Sequence, residues 1–297
     1  SQHDDEKLFG VAYLSPVLST IKDTFPFGLP IRLWVFAQEE NSMREMERKL
    51  HTHQFHATTS LPSDQILTVV LVLGETARYD RWSVNGYQRN TSPNMLRLQA
   101  QSELISMRNM ITPRSFTMGS IPIYLSGRDI MAEGITQKSL ISAFNEAGFK
   151  TYFLSTQVRK GFLNNVTSLF ANEAGQQAYY ETDETSGKLF DAHLIEPLEA
   201  ILAHDGNKKL IVMHTMGSHA VYQARYPKSF EKYPVSDDGY DSVSNAFDNT
   251  IYYTDHVLAE VVASLASKPV AALMIYGSDH GESLPTPSCK FIGHGAL

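Results

Sequence analysis

From Ile66 onward the chain alternates short, continuous apolar runs with stretches whose apolar residues recur at helical spacing. Ile66–Leu73 (ILTVVLVL) is unbroken and rich in β-branched residues, the pattern of a strand covered on both faces. Leu140, Ile141, Phe144 and Ala147 then recur three and four apart and stop at Gly148, a helix C-terminal signal. The strand candidate Tyr152–Leu154 follows at once. Phe190, Leu194, Ile195, Leu198 and Leu202 repeat the arrangement, end at Asp205-Gly206 and lead into Leu210–Met213. Phe247, Ile251, Leu258, Val262 and Leu265 do so again, ending at Pro269 before Val270–Tyr276. Helix, tight turn, apolar strand, three times over, is the βαβ rhythm of an α/β fold with a parallel sheet. The four runs are expected to be buried, mutually parallel strands of one sheet with helices on both faces.

The first sixty-odd residues follow no such rhythm. Pro16, Pro26, Gly28 and Pro30 interrupt mixed apolar stretches, which suggests short helices and turns. Ser42-Met43-Arg44-Glu45 has capping-box spacing, and Met43, Met46 and Leu50 share one face, so a short amphipathic helix is expected from about 42 to 51. His51-Thr52-His53-Gln54-Phe55-His56 reads either as a polar connector or as a metal-binding stretch, the connector being favoured. Leu61-Pro62-Ser63-Asp64 reads as a linker, dividing a segment 1–65 from a domain 66–297.

Composition removes whole classes of function. The chain has 297 residues, 42% hydrophobic and 19% charged, which is ordinary for a globular protein and unlike a disordered or fibrous one. A formal net charge of −7 argues against binding nucleic acid by phosphate neutralisation. The lone cysteine, Cys289, permits no intramolecular disulfide. No apolar run reaches the ~20 residues of a membrane span, and no basic-then-apolar signal segment opens the sequence.

In parallel sheets, ligands bind beyond the carboxyl ends of the strands. All four runs end in polar or ionisable residues: Gly74-Glu75-Thr76-Ala77-Arg78, Ser155-Thr156-Gln157-Val158-Arg159-Lys160, His214-Thr215-Met216-Gly217-Ser218-His219 and Gly277-Ser278-Asp279-His280-Gly281-Glu282. Asp279 and His280 are adjacent just past a strand end and can both turn toward a cation. Glu75, arriving from another strand, can add a third ligand. Mixed Asp/Glu/His ligation without cysteine suits catalytic Zn²⁺ and, less well, Mn²⁺. The plainer alternatives stay open here: a helix cap and polar loop for Asp279-His280, and a first-turn carboxylate for Glu75. His219 and His294 read either as loop histidines or as holders of a second metal or a phosphate.

Gly74-Glu75-Thr76-Ala77-Arg78, followed by Asn85-Gly86-Tyr87 and Asn90-Thr91-Ser92-Pro93, resembles the opening motif of the phosphoethanolamine transferases. These belong to the sulfatase and alkaline-phosphatase-like superfamily. His214–His219, Phe247–Asp255 and Ser278–Ser283 match later motifs in the same order, so the resemblance covers about residue 66 to the end. It implies a three-layer sandwich with a mainly parallel central sheet and helices on both faces. Arg114-Ser115-Phe116-Thr117-Met118-Gly119-Ser120-Ile121-Pro122 matches the family's nucleophile segment, which makes Thr117 the nucleophile by resemblance. A threonine hydroxyl needs a base or metal to become nucleophilic near neutral pH. The family pattern supplies Zn²⁺ on Glu75, Asp279, His280 and Thr117, at an expected ~2.0–2.2 Å for oxygen and nitrogen ligands. By the same similarity Lys160, His219 and His294 fall where the family binds the phosphoryl group.

The resemblance further implies a phosphatidylethanolamine donor, a phospho-threonine intermediate and an envelope-glycan acceptor such as lipopolysaccharide, at lipid A or core. It places the domain on the periplasmic side of a bacterial inner membrane, held by an N-terminal transmembrane domain absent from this sequence. Residues 1–65 are then a membrane-proximal connector. Several family members carry disulfides and cysteines beside the nucleophile. This chain has neither, so their acceptor specificity does not transfer. The family's fold also usually continues beyond the Gly-His-Gly motif, so a C-terminally incomplete domain is expected. The rival readings are a phosphoglycerol-type transferase or phosphoesterase of the same superfamily, and a non-catalytic glycan-binding relative.

Overall fold

The computed structural model describes residues 28–62, 65–131, 137–159, 165–180, 189–204, 208–236, 239–286 and 291–294, together with Thr24, Pro26, Ile135 and Ser288. Five strands, β1 (Leu67–Gly74), β2 (Lys150–Ser155), β3 (Gln176–Tyr179), β4 (Lys209–His214) and β5 (Ala271–Ser278), form one sheet in the order β3-β2-β4-β1-β5. Every pairing is parallel, and the register sets Leu73 beside His214, Gly74 beside Ser278 and Ser155 beside His214. The strand ends that the sequence singles out therefore lie at one edge of one sheet.

Alternation along the strands builds the layers. Val70 and Val72 of β1, Tyr152 and Leu154 of β2, and Ile211 and Met213 of β4 face one helical layer. That layer consists of α2 (Pro93–Ala100), α6 (Ile195–Leu202) and α7 (Tyr240–Ala266), which bury Leu98, Leu198, Phe247 and Ile251 against the strands. Val69, Leu71, Leu73, Phe153, Leu210 and Val212 point the other way. There they meet Met46 and Leu50 of α1 (Gly28–His51), Ile121 and Leu125 of α3 (Thr117–Ser126), Ile141 of α4 (Leu140–Glu146) and Phe170 of α5 (Asn165–Ala171). The result is the expected α/β/α sandwich. Among the described residues, no helix is long and apolar enough to cross a membrane.

Two expectations are corrected. β5 is parallel as expected but not buried: Ala271, Ala272, Leu273 and Ile275 are exposed. It is an edge strand, and on the face of Leu273 and Ile275 the helices stop short of it, whereas Met274 and Tyr276 pack on the opposite core. The N-terminal helix spans Gly28–His51 rather than 42–51. Pro30 does not interrupt it, because first-turn amides have no intrahelical acceptor and a proline there forfeits no bond. Ser42 is thus mid-helix, where Arg44–Glu40 and Lys49–Glu45 ion pairs support the exposed side. The His-rich stretch after it is a connector in which the amides of Phe55 and Ala57 donate to the Glu146 carboxylate. Pro16 and the expected helix stop at Asp205-Gly206 lie outside the described residues.

Candidate active site

The order of the sheet puts β1 between β4 and β5, so the carboxyl ends of these three parallel strands lie side by side, the place where ligands bind in such sheets. Glu75 is the first residue past β1 and Asp279 the first past β5. The Asp279 amide donates to the Gly74 carbonyl (3.0 Å), and Asp279 Oδ1 accepts from the amides of Thr76 (3.0 Å) and His280 (2.7 Å). Those bonds occupy Oδ1 and leave Oδ2, which is buried and without a hydrogen-bond partner, turned to His280 Nε2 at 3.4 Å. His280 Nδ1 lies 2.7 Å from the Gly281 carbonyl, an oxygen that only accepts, so the ring carries a proton on Nδ1 and presents Nε2 to the carboxylates.

Thr117 is the first residue of α3, at the partly positive end of the helix. Its Oγ1 lies 3.2 Å from both Glu75 carboxylate oxygens and 3.2 Å from His280 Nε2, while His280 Nε2 to Glu75 Oε1 is 3.3 Å. Glu75, Asp279 and His280 each bring one ligand atom to within 4.8 Å of the others. Four ligands arranged tetrahedrally at ~2.0–2.1 Å from an ion stand about 3.3–3.4 Å apart. The separations given above fall at that spacing, and the partnerless Asp279 Oδ2 supplies an oxygen with no other occupation. The donor set fits Zn²⁺.

Charge makes the same point. Burial pushes the Asp279 carboxyl up, and the charge of Glu75 adds to it, to about 8. Burial opposes the charged form of His280, yet the Glu75 hydrogen bond and the charges of Asp279 and Glu75 prevail and take it to about 9. Burial also raises Glu75, but the hydrogen bond and charge of His280, with His219 and Thr76, hold it below the usual carboxylate range. At neutral pH the cation-free site therefore keeps protons where a divalent ion would sit.

Of the remaining expected residues, His294 has its ring centroid 4.4 Å from that of His280, the rings inclined at 43°, and His219 lies 6.5 Å from His294 with its Nδ1 buried and partnerless. Lys160 lies outside the described residues. The structure adds residues that spacing does not reveal. Gln157 Nε2 donates to Glu75 Oε2 (3.2 Å) and the Thr215 carbonyl (2.9 Å). Its one sequence signal is its place two residues beyond β2. Asp191, fully buried, accepts from Thr156 Oγ1 (2.6 Å) and from the amides of Met216 (2.8 Å) and Gly217 (2.9 Å), so it pins the loop carrying His219. Glu282 accepts from the Tyr222 hydroxyl (2.5 Å) and faces His294 Nδ1 at 3.3 Å. Thr76 adopts φ 61°, a strained setting for a β-branched residue, and its hydroxyl donates to Glu75 Oε1 (2.7 Å).

Comparison with known proteins identifies the family and the fold. The sulfatase family model matches residues 67–294. The phosphoethanolamine transferase EptC of Escherichia coli K12 is 29% identical over 239 residues, covering 76% of this chain and 41% of the relative. The Kdo(2)-lipid A phosphoethanolamine 7''-transferase of the same strain is 28% identical over 227 residues, covering 73% and 39%. The chain thus spans about two-fifths of the length of these curated relatives. Among solved structures, the zinc complex of the C-terminal periplasmic domain of E. coli EptC superposes with a TM-score of 0.70 at 27% identity, covering 78% of this chain and 68% of that one.

Proposed function

From the premise that the chain belongs to the sulfatase family, we propose that it carries the catalytic part of a phosphoethanolamine transferase. The observation that supports this most is the approach of Thr117 Oγ1 to Glu75 and His280, at 3.2 Å from each, beyond the ends of β1 and β5. In this reading Glu75, Asp279, His280 and Thr117 hold Zn²⁺. The bound ion would lower the hydroxyl pKa of Thr117 and polarise the phosphoryl group.

Thr117 Oγ, having lost its proton, attacks the phosphorus of phosphatidylethanolamine. The bond from phosphorus to the glycerol oxygen breaks, that oxygen takes up a proton, and diacylglycerol leaves. Phosphoethanolamine stays esterified to Thr117. An acceptor oxygen on an envelope glycan, at lipid A or core, then attacks the same phosphorus and loses its proton, the bond from phosphorus to Thr117 Oγ breaks, and that oxygen takes up a proton. Lys160, His219 and His294 serve the phosphoryl oxygens, whose charge grows in each transition state. Gln157 and Thr76 hold the Glu75 carboxylate by hydrogen bonds, and Asp191 fixes the loop of His219. The domain works on the periplasmic face of the inner membrane, with residues 1–65 as its connector to a membrane part.

The test is reconstitution of the chain with zinc, phosphatidylethanolamine and lipopolysaccharide. Release of diacylglycerol in step with phosphoethanolamine gained by the glycan is expected. Release of free phosphoethanolamine at the same rate with and without acceptor would make the protein a phosphoesterase instead.

A further inference from the structure

Glu282, two residues past His280, buries its carboxylate so that only 2% of the side chain is exposed. It stands beside the group of Glu75, Asp279 and His280 and is not part of it. A buried carboxylate is costly unless its oxygens are satisfied, and here both are engaged. Oε2 accepts from the Tyr222 hydroxyl at 2.5 Å, and Oε1 faces His294 Nδ1 at 3.3 Å. The two partners belong to different loops. Tyr222, three residues past His219, opens the short turn Tyr222–Ala224, and its ring meets that of Phe247 in α7 edge-on at 5.2 Å. Arg225, buried in the same loop, donates to the carbonyls of His219 (3.2 Å) and Ala220 (2.7 Å). His294 arrives from the other side. Ser283 N donates to the Gly293 carbonyl (3.0 Å) and Gly293 N to the Ser283 carbonyl (3.2 Å). That antiparallel bridge sets the next pair, Glu282 and His294, face to face. Arg78 Nη1 adds a bond to the Glu282 carbonyl (3.0 Å).

The direction of each bond decides what the arrangement does. Burial, then the hydrogen bond and charge of Glu282, push the Tyr222 hydroxyl up, so it keeps its proton and donates. A carboxylate oxygen only accepts, so a bond from His294 needs a proton on Nδ1 and leaves Nε2 for a ligand. With Glu282, the ring of His294 lines a cleft of about 500 Å³, whose other wall includes Arg114 and Ser115, just before Thr117. A carboxylate on the far nitrogen is the usual device that fixes the orientation and tautomer of a functional histidine. We propose that Glu282 is a positioning residue, tying the loop of His219 to His294 so that His294 meets the transferring phosphoryl group with Nε2. The inference rests on the transferase reading, in which His219 and His294 serve the phosphoryl oxygens.

The test has two readouts. In zinc-loaded protein with nitrogen-labelled histidine, ring nitrogen shifts in the NMR spectrum show where His294 carries its proton, and His294→Ala identifies its signals. The parent should be protonated at Nδ1. Glu282→Leu keeps much of the bulk, removes the acceptor and should lose that preference. A parent bare at Nδ1, which needs no folded variant to detect, overturns the proposal, as does a Glu282→Leu protein with the parent's pattern. The second readout is the rate at which phosphatidylethanolamine modifies Thr117. Glu282→Leu should lower it about 10–100-fold with zinc still bound, and should cost nothing further in a His294→Ala background. An equal loss with and without His294 would mean that Glu282 only supports the fold, and also overturns the proposal. A parent that shows the expected ring pattern, lost in Glu282→Leu, but never modifies Thr117 keeps the positioning role and removes the transferase. Modification of Thr117 with an unaltered ring pattern in the variant does the reverse.

Discussion

Gly217 stands where a Cβ would lie 2.7 Å from the Glu75 carbonyl oxygen and 3.0 Å from its amide nitrogen, at φ +50°. The glycine lets the loop after β4 press on the backbone of a ligand residue, and Ser218 N donates to that carbonyl at 2.9 Å. Gly217→Ala should therefore cost about 1–3 kcal/mol of stability, visible as a lowered melting temperature, and should weaken zinc binding because Glu75 must move. Unchanged values for both would show that the loop yields freely. Gln157 acts on the carboxylate itself. Gln157→Leu should lower zinc affinity about 10–100-fold in a chelator competition, the usual cost of losing a group that orients a metal ligand. Affinity equal to the parent's would remove Gln157 from the site. Neither residue announces itself in the sequence. Glu75, Asp279 and His280 are legible because metal-binding side chains directly after apolar runs are conspicuous, and Thr117 only through its resemblance. An uncharged amide and a close-packed glycine show their roles only when other strands are laid beside them.

β1 and β4 could be read from their continuous apolar runs because helices cover both of their faces. The same kind of run misleads at β5, since it records that residues are apolar and not whether anything covers them. The start of α1 is not legible in the sequence, because Pro30 falls in the one turn where proline is tolerated. β4 also carries a pH dependence. His214, its last residue, is buried, and burial lowers its pKa to about 4, partly opposed by the charge of Glu75. A histidine depressed in the folded state is protonated first in the unfolded chain, so its contribution is intact above about 6.5 and is lost as pH falls toward 4. Across that window it should amount to about 3 kcal/mol. Denaturant titrations at several pH values should show the parent losing more stability on acidification than His214→Gln. Parallel curves would mean His214 titrates normally.

For the molecule as a whole, the two helical layers and parallel sheet serve to bring the residues just past β1 and β5 together with the first residue of α3. Metal and protons compete there. With Asp279 near 8 and His280 near 9 in the cation-free protein, zinc uptake must expel protons, so affinity should rise with pH up to about that range. Zinc should accordingly raise the melting temperature more at pH 8 than at pH 6, and chelation should reverse it. An equal shift at both pH values would place the ion elsewhere. The central claim, that this centre activates Thr117 to carry phosphoethanolamine, is tested most directly by peptide mass spectrometry after exposing zinc-loaded protein to phosphatidylethanolamine without acceptor. The parent should gain phosphoethanolamine on the peptide containing Thr117, while Thr117→Ala should gain none and still bind zinc. A Thr117→Ala protein that transfers phosphoethanolamine at the parent's rate, with the parent's Thr117 peptide unmodified, would contradict it.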